Sequence, residues 1–238
     1  IAQIYQSQTT NDNISTGPSI PRPLEFALRE NYNANFKHIV MASWEQSRYL
    51  KFGETNIYKS GNAMQEAAPD MLSLDIIAGL KNGLKEKNSI MLAESAANTL
   101  FGNKTALGKI IKVNSEDDLM VTAIYRDIPA NNSFSEMKYI IPWKHYVTTQ
   151  EWLKWSKDNW GNNSFQLFVQ INENTSMDVV TSKISDIKKD ADPELVQYNP
   201  QLFLFPMEEW HLRSDFENGV QSGGRIENVW LFGVIGVF

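Results

Sequence analysis

The 238 residues suffice for one large domain or two small ones. A hydrophobic content of 42% allows a real core, and 21% charged residues make the bulk of the chain soluble. A net charge of −6 and the lack of any Lys/Arg run argue against nucleic acid as a partner, and the absence of Cys excludes disulfides, Cys-ligated zinc and thiol catalysis.

Residues 1–7 alternate loosely and predict a strand, and residues 8–19, polar with Gly17 and Pro18, predict a loop. Pro21 and Pro23 lead into a helix over 24–31, where Leu24, Ala27 and Leu28 share one face. Residues 36–44 form a strand. Residues 48–52 and 55–59 then make a hairpin around Gly53-Glu54. A helical turn at 67–74 and a strand-like segment with a turn at 76–84 follow.

Residues 88–134 are the best-defined stretch. A strand at 89–92 runs into a helix over 94–101 with acidic Glu94 at its positive end. Ala97, Leu100 and Phe101 form that helix's apolar stripe, and Gly102 is its C-cap. Strands at 109–113 and 119–125 are joined by an acidic turn at 115–118, and an Asp-Ile-Pro turn closes the stretch at 127–129.

A strand at 139–142 ends in Pro142. Residues 148–163 are polar but carry Trp152, Trp155 and Trp160. The first two are three apart, so a short helix would put them on one face. A strand at 165–171, a helix over 177–189 with Val179, Val180, Ile184 and Ile187 as its stripe, and a strand at 201–206 complete the regular elements. Residues 208–216 are mixed, and 217–224 are polar and Gly-rich, as a linker would be. The order of elements predicts an α+β fold built from split β-α-β units.

The ends carry a separate message. Residue 1 is Ile, so the chain is expected to begin inside a longer protein or after processing, with no signal peptide in view. Residues 229–238 are uncharged and almost wholly apolar. A span needs about 20 such residues, so this run is read either as the first half of a membrane helix, with Trp230 at the interface, or as a buried terminal strand or core helix.

Residues 88–102, NSIMLAESAANTLFG, resemble the signature "nsivlte-lAkklFG" of the MacB-like periplasmic core domain of FtsX/MacB-type ABC transporter permeases, in its Bacteroidetes form. Leu107-Gly108-Lys109 is similar to that family's "iGk", residues 121–125 to its "vtGv", and residues 127–134, DIPANNSF, to its "dlPpnShf". Residues 71–84 follow the family's upstream element more loosely. The chain departs from the pattern at Ala123, where the family has Gly, and at Phe134, where it has His.

The resemblance implies a discontinuous porter-like α+β subdomain over residues 1–106 and 146–226, and a strand-rich, sabre-like insert over 107–145. It also favours residues 227–238 as the start of a truncated transmembrane helix. It further implies an extracytoplasmic, non-catalytic domain of an inner-membrane permease, facing the periplasm, that relays ATP-driven motion of the membrane helices to substrates or partners in efflux or in lipoprotein, peptide or antibiotic handling. On this reading the domain needs no cofactor, since ATP is used by a separate ATP-binding subunit. The other partners are a second permease copy, a periplasmic adaptor and an outer-membrane channel.

The residues themselves are consistent with a non-catalytic role. His38, His145 and His211 lack metal-ligand spacing. Residues 116–118 are an acidic turn without the EF-hand pattern, and Glu208-Glu209 reads as a helix start. Neither G-x-S-x-G nor a phosphate-binding Gly loop occurs. Trp143, Trp152, Trp155 and Trp160 cluster in the sequence, and Trp152, Trp155 and Trp160 are the candidate partner or substrate surface, with packing of core and loops as the competing role. The alternative function is an extracytoplasmic ligand-binding sensor domain of a membrane receptor. A secreted hydrolase would need a pocket of converging Asp, Glu and His.

Overall fold

The structure, a computed structural model, describes residues 1–210, 213 and 215–224. Its α+β elements divide between two units, residues 1–39 with the chain from Asp158 onward, and residues 40–157.

In the first unit the central strand is β1 (Ala2–Thr10). One edge pairs antiparallel with β13 (Gln201–Pro206), from Ala2↔Pro206 to Ser7↔Gln201. The other edge pairs first with β12 (Asn163–Ile171) and then with β2 (Asn13–Gly17). The β1–β2 hairpin replaces the loop expected at 8–19. Asn11 (φ 49°) and Asp12 (φ 64°) take the two left-handed positions of a tight hairpin turn, which Asn and Asp tolerate.

A short β3 (Ile20–Pro21) joins β12, and α1 (Pro23–Asn31) begins with Pro in its first turn, where no N–H is needed. Leu24 and Leu28 are buried on its inner face. Arg29 ties the helix down, donating to the buried Glu25 at 2.7 Å and to the Ile39 carbonyl at 2.6 Å. The strand β4 (Phe36–Ala42) then carries the chain into the second unit.

The return through the first unit is a split β-α-β: β12, then α5 (Met177–Ile184) and α6 (Ile187–Ala191), then β13. Both strands run antiparallel to β1, which lies between them, so they are parallel to each other. Ser176 caps α5 by accepting from the Val179 N–H at 3.3 Å. The single helix expected over 177–189 breaks at Ser185-Asp186. The Ser185 carbonyl accepts from the Leu202 N–H of β13 at 2.9 Å, and the Asp186 carboxylate binds Gln201 Nε2 at 2.8 Å and Lys189. These two contacts with the sheet outweigh the continuation of the local helix.

The expected linker at 217–224 contributes to a second hairpin, β14 (Asp215–Glu217) with β15 (Val220–Gly223), turned by Asn218 (φ 50°) and Gly219 (φ 81°). Asn-Gly is the preferred pair for that turn. Phe216 docks among Tyr5, Phe203 and Phe205 at ring separations of 5.5–5.9 Å.

The second unit is a closed ring of strands. The hairpin β5 (Gln46–Phe52) and β6 (Thr55–Met64) forms around Gly53 (φ 58°). The helical turn α2 (Ala68–Met71) and strand β7 (Ile76–Gly79) lead to β8 (Ser89–Ala93), every residue of which is buried. Helix α3 (Glu94–Phe101) crosses over to β9 (Ile110–Val113) and β10 (Asp117–Tyr125), and β10 runs parallel to β8.

The strand β11 (Tyr139–Pro142) pairs antiparallel with β8 and parallel with β6, and β9 pairs with both β10 and β5. Following the pairings β5–β6–β11–β8–β10–β9–β5 returns to the start, which leaves the six ring strands no free edge along these ladders. β7 adds to β10 beyond β9. Leu50, Ile111, Val113, Leu119 and Val121 occupy the buried phase of their strands.

The boundaries expected at 107 and 145 fall inside this unit, where β9, β10 and β11 hydrogen-bond to β5, β8 and β6 from the preceding residues. The turn between β9 and β10 is centred on Asn114 (φ 51°) and Ser115 (φ 64°), so Asp117 and Asp118 belong to the strand and not to the expected acidic turn. No helix of the described residues is long and apolar enough to cross a membrane, and the expected span start at 227–238 lies outside them.

Candidate functional site: an aromatic turn beside a polar recess

Pro142 ends β11 in an extended conformation (ψ 134°) and turns the chain into α4 (Trp143–Thr149), a helix the sequence pattern did not predict. Trp143 and Tyr146 are buried and pack at 5.5 Å between ring centroids. A 3-10 turn over Glu151–Lys154 follows. Leu153 and Ser156 point inward, both fully buried, and Ser156 Oγ donates to the Leu153 carbonyl at 2.8 Å. Residues three apart eclipse one another in a 3-10 turn, so anchoring Leu153 and Ser156 turns Trp152 and Trp155 outward, 42% and 82% exposed. Where the sequence predicted a short helix, the chain forms this 3-10 turn, with Trp152 in it and Trp155 just after it. Trp160 is half-buried and lies in the other unit.

The residues just before this turn, Thr149 and Gln150, form one wall of a recess of about 590 Å³. Gln46, Ser47 and Arg48 of β5 form a second wall, and Asn114, Glu116 and Asp117 at the β9–β10 turn a third. Arg48 takes an inward position in the alternation of β5 and is buried, with Nη2 donating to Gln46 Oε1 at 2.7 Å. Gln46 in turn donates to the Tyr146 hydroxyl at 3.0 Å, and its carbonyl accepts from the Tyr139 hydroxyl at 2.5 Å. Burial holds that Tyr139 phenol well above its usual range, although Arg48 beside it pulls the other way, so it remains a hydrogen-bond donor. Asn114 fixes the rim by accepting from the Tyr49 N–H at 3.0 Å.

His145 is buried behind Asp117, its Nε2 3.3 Å from Asp117 Oδ2, without the alignment of a hydrogen bond. His38 sits half-buried on β4 in its first-unit part, and His211 lies outside the described residues. Of the acidic run, Asp118 pairs with Lys112 at 3.0 Å and Glu116 is exposed. Glu208 and Glu209 lie in a 3-10 turn that opens at Met207, rather than starting an α-helix. Among the described residues no three His, Asp or Glu side chains gather as metal ligands. The recess is lined by the cationic Arg48, the carboxylates of Glu116 and Asp117, and neutral amides and hydroxyls.

The Asp-Ile-Pro turn has a different role. Asp127 Oδ2 accepts from the Ser95 N–H at 2.8 Å, and Oδ1 accepts from Ser95 Oγ at 2.6 Å and from Lys138 Nζ at 2.9 Å. Partial burial alone would raise this carboxyl, but the bonds from Ser95 and Lys138 outweigh it and hold Asp127 below the usual carboxylate range. Thus Asp127 caps α3 from 32 residues away, satisfying an N–H that its own N-cap, Ala93, cannot.

A buried cation in the first unit was also missed by sequence reasoning. Lys188 of α6 is 1% exposed, and its Nζ donates to Gln6 Oε1 at 2.7 Å and Asn163 Oδ1 at 2.9 Å. Its spacing of four from the buried Ile184 was the available signal.

The fold is one seen before. A domain of a putative permease protein from Porphyromonas gingivalis superposes with a TM-score of 0.68 at 14% identity, covering 97% of this chain and 95% of that one. The periplasmic region of MacB from Actinobacillus actinomycetemcomitans gives 0.60 at 13% identity, over 85% and 88% of the two chains. The extracellular domain of the noncanonic ABC-type transporter YknZ from Gram-positive bacteria gives 0.61 at 13% identity, over 87% and 100%. No curated protein matches the sequence. The model of the MacB-like periplasmic core domain matches residues 1–187, nearly four-fifths of the sequence, and the chain therefore belongs to the MacB-like periplasmic core domain family.

Proposed function

We propose that this chain is the extracytoplasmic domain of an ABC-type permease of the inner membrane, and that it relays movement of the membrane helices to a partner protein instead of carrying out chemistry. The observation behind this reading is the family match over residues 1–187, joined to a fold shared with the domains of three transporter-type proteins. ATP hydrolysis falls to a separate ATP-binding subunit, and the permease acts as a pair with an adaptor and an outer-membrane channel. Within the domain, Trp152 and Trp155 are the partner contact, two exposed indoles on an anchored turn beside the polar recess. Trp160 belongs to the other unit and is not part of this proposal.

The test is a full-length permease reconstituted in vesicles with its ATP-binding subunit and spin-labelled through Trp155→Cys. Addition of ATP should change the label's distance distribution across the permease pair, and the double variant Trp152→Ala, Trp155→Ala should lose export by tenfold or more with ATP hydrolysis retained. A label that ignores ATP but responds to a small extracellular solute would sink this reading in favour of a sensor domain.

A further inference from the structure

Lys188 presents an electrostatic problem that the relay function does not use. Buried cations are normally matched by a carboxylate, because withdrawing an ammonium from water is costly unless its charge is compensated. Lys188 instead meets two neutral amide oxygens, from Gln6 and Asn163, and forms no ion pair among the described residues. Burial outweighs the favourable charge of Asp192, and the ammonium is pulled down to about 8. An ammonium has three N–H donors, so two amide acceptors leave one over.

This cation lines a cavity of about 340 Å³ within the first unit, at the lower end of the range for small-ligand sites, roughly 300–1,000 Å³. Thr10 and Tyr198 bring hydroxyls to the same cavity, and Gln8 an amide. Leu195 and Pro200 supply an apolar side. None of the residues lining it is acidic. One buried positive charge, neutral donors and an apolar flank describe the complement of a single carboxylate that carries an apolar substituent.

We propose that this cavity binds a monocarboxylate with an apolar side group, the chemistry presented by the C-terminal residue of a peptide ending in an aliphatic amino acid. The carboxylate supplies the charge that Lys188 lacks, the hydroxyls of Thr10 and Tyr198 donate to its oxygens, and the aliphatic group lies against Leu195 and Pro200. Asn163 and Gln6 hold the ammonium in place when the cavity is empty, which keeps the site preorganised. The inference is independent of the relay reading, since it stands on the first unit's cavity and not on the Trp152–Trp155 turn.

The test uses the 238-residue chain and isothermal titration calorimetry with three probes: N-acetyl-L-leucine, its uncharged amide, and acetate. N-acetyl-L-leucine should bind saturably in the millimolar range or tighter, and the other two at least tenfold more weakly. Lys188→Met should abolish that binding. Should this variant fail to fold, Leu195→Glu decides the matter from the half-exposed rim, because it places a repelling carboxylate in the cavity without touching the buried amine; it should also weaken binding at least tenfold. Equal binding of acid and amide, unchanged binding in Leu195→Glu, or no heat of binding from N-acetyl-L-leucine overturns the proposal. Binding of acetate as tight as that of N-acetyl-L-leucine overturns the assignment of an apolar substituent.

Discussion

Asp127 shows how one side chain gives a motif its purpose. Its carboxylate receives three hydrogen bonds, two from Ser95 at the start of α3 and one from Lys138. Replacing it with Asn keeps the shape but removes the charge and one acceptor, and Asp127→Asn should lose about 1–2 kcal/mol of stability, the usual worth of a helix cap. The sign of the pH dependence follows from the depressed carboxyl. The unfolded chain takes up the proton near pH 4 and the folded one only below that. The advantage of the natural residue is therefore complete above about pH 5 and fades as pH falls through the folded value. Urea denaturation of both proteins between pH 3 and 7 checks this: a difference that stays constant across the range would remove Asp127 from the role assigned to it.

Ring closure in the second unit depends on close approach between elements. Gly61 of β6 lies opposite Tyr139 of β11, and a β-carbon there would come within 2.2 Å of the Tyr139 carbonyl oxygen and 2.7 Å of its ring. Backbone cannot move aside as the tip of a flexible side chain can. Gly61→Ala should therefore cost about 1–3 kcal/mol, the range for overpacking a tight core, and amide exchange should quicken along β6 and β11 first. Unchanged protection of those two strands would show that their pairing is not the point of closure. The same element scale explains the misread helix over 177–189: its apolar stripe is continuous, but a carbonyl and a carboxylate at Ser185 and Asp186 are claimed by β13.

For the whole molecule the informative feature is the placement of β1 at the head of the sequence and the centre of its sheet. It pairs with β12, β13 and β2, and those partners come from both ends of the sequence. Removing residues 1–10 should unfold the first unit while the ring of residues 40–157, whose ladders close on themselves, keeps its fold. Two-dimensional NMR of the shortened chain would show dispersed signals for the ring and collapsed ones for the other residues; loss of dispersion throughout would mean that the ring requires the first unit.

Much of this was legible in the residues. The strand–helix–strand pattern at 88–134, the Gly53 hairpin, the Gly102 helix stop and the family resemblance all rest on neighbours within a few positions, where periodicity and turn chemistry act directly. The hairpins at Asn11-Asp12 and Asn218-Gly219 carried the same kind of signal in their turn residues. Tertiary structure alone decided the closure of the six-stranded ring, the capping of α3 by Asp127, the outward turn of Trp152 and Trp155, and the burial of Lys188 beside Gln6, 182 residues away. Those outcomes depend on hydrogen bonds and burial between distant segments, and a contact between two polar side chains far apart in the chain leaves no period or spacing in the sequence from which to read it.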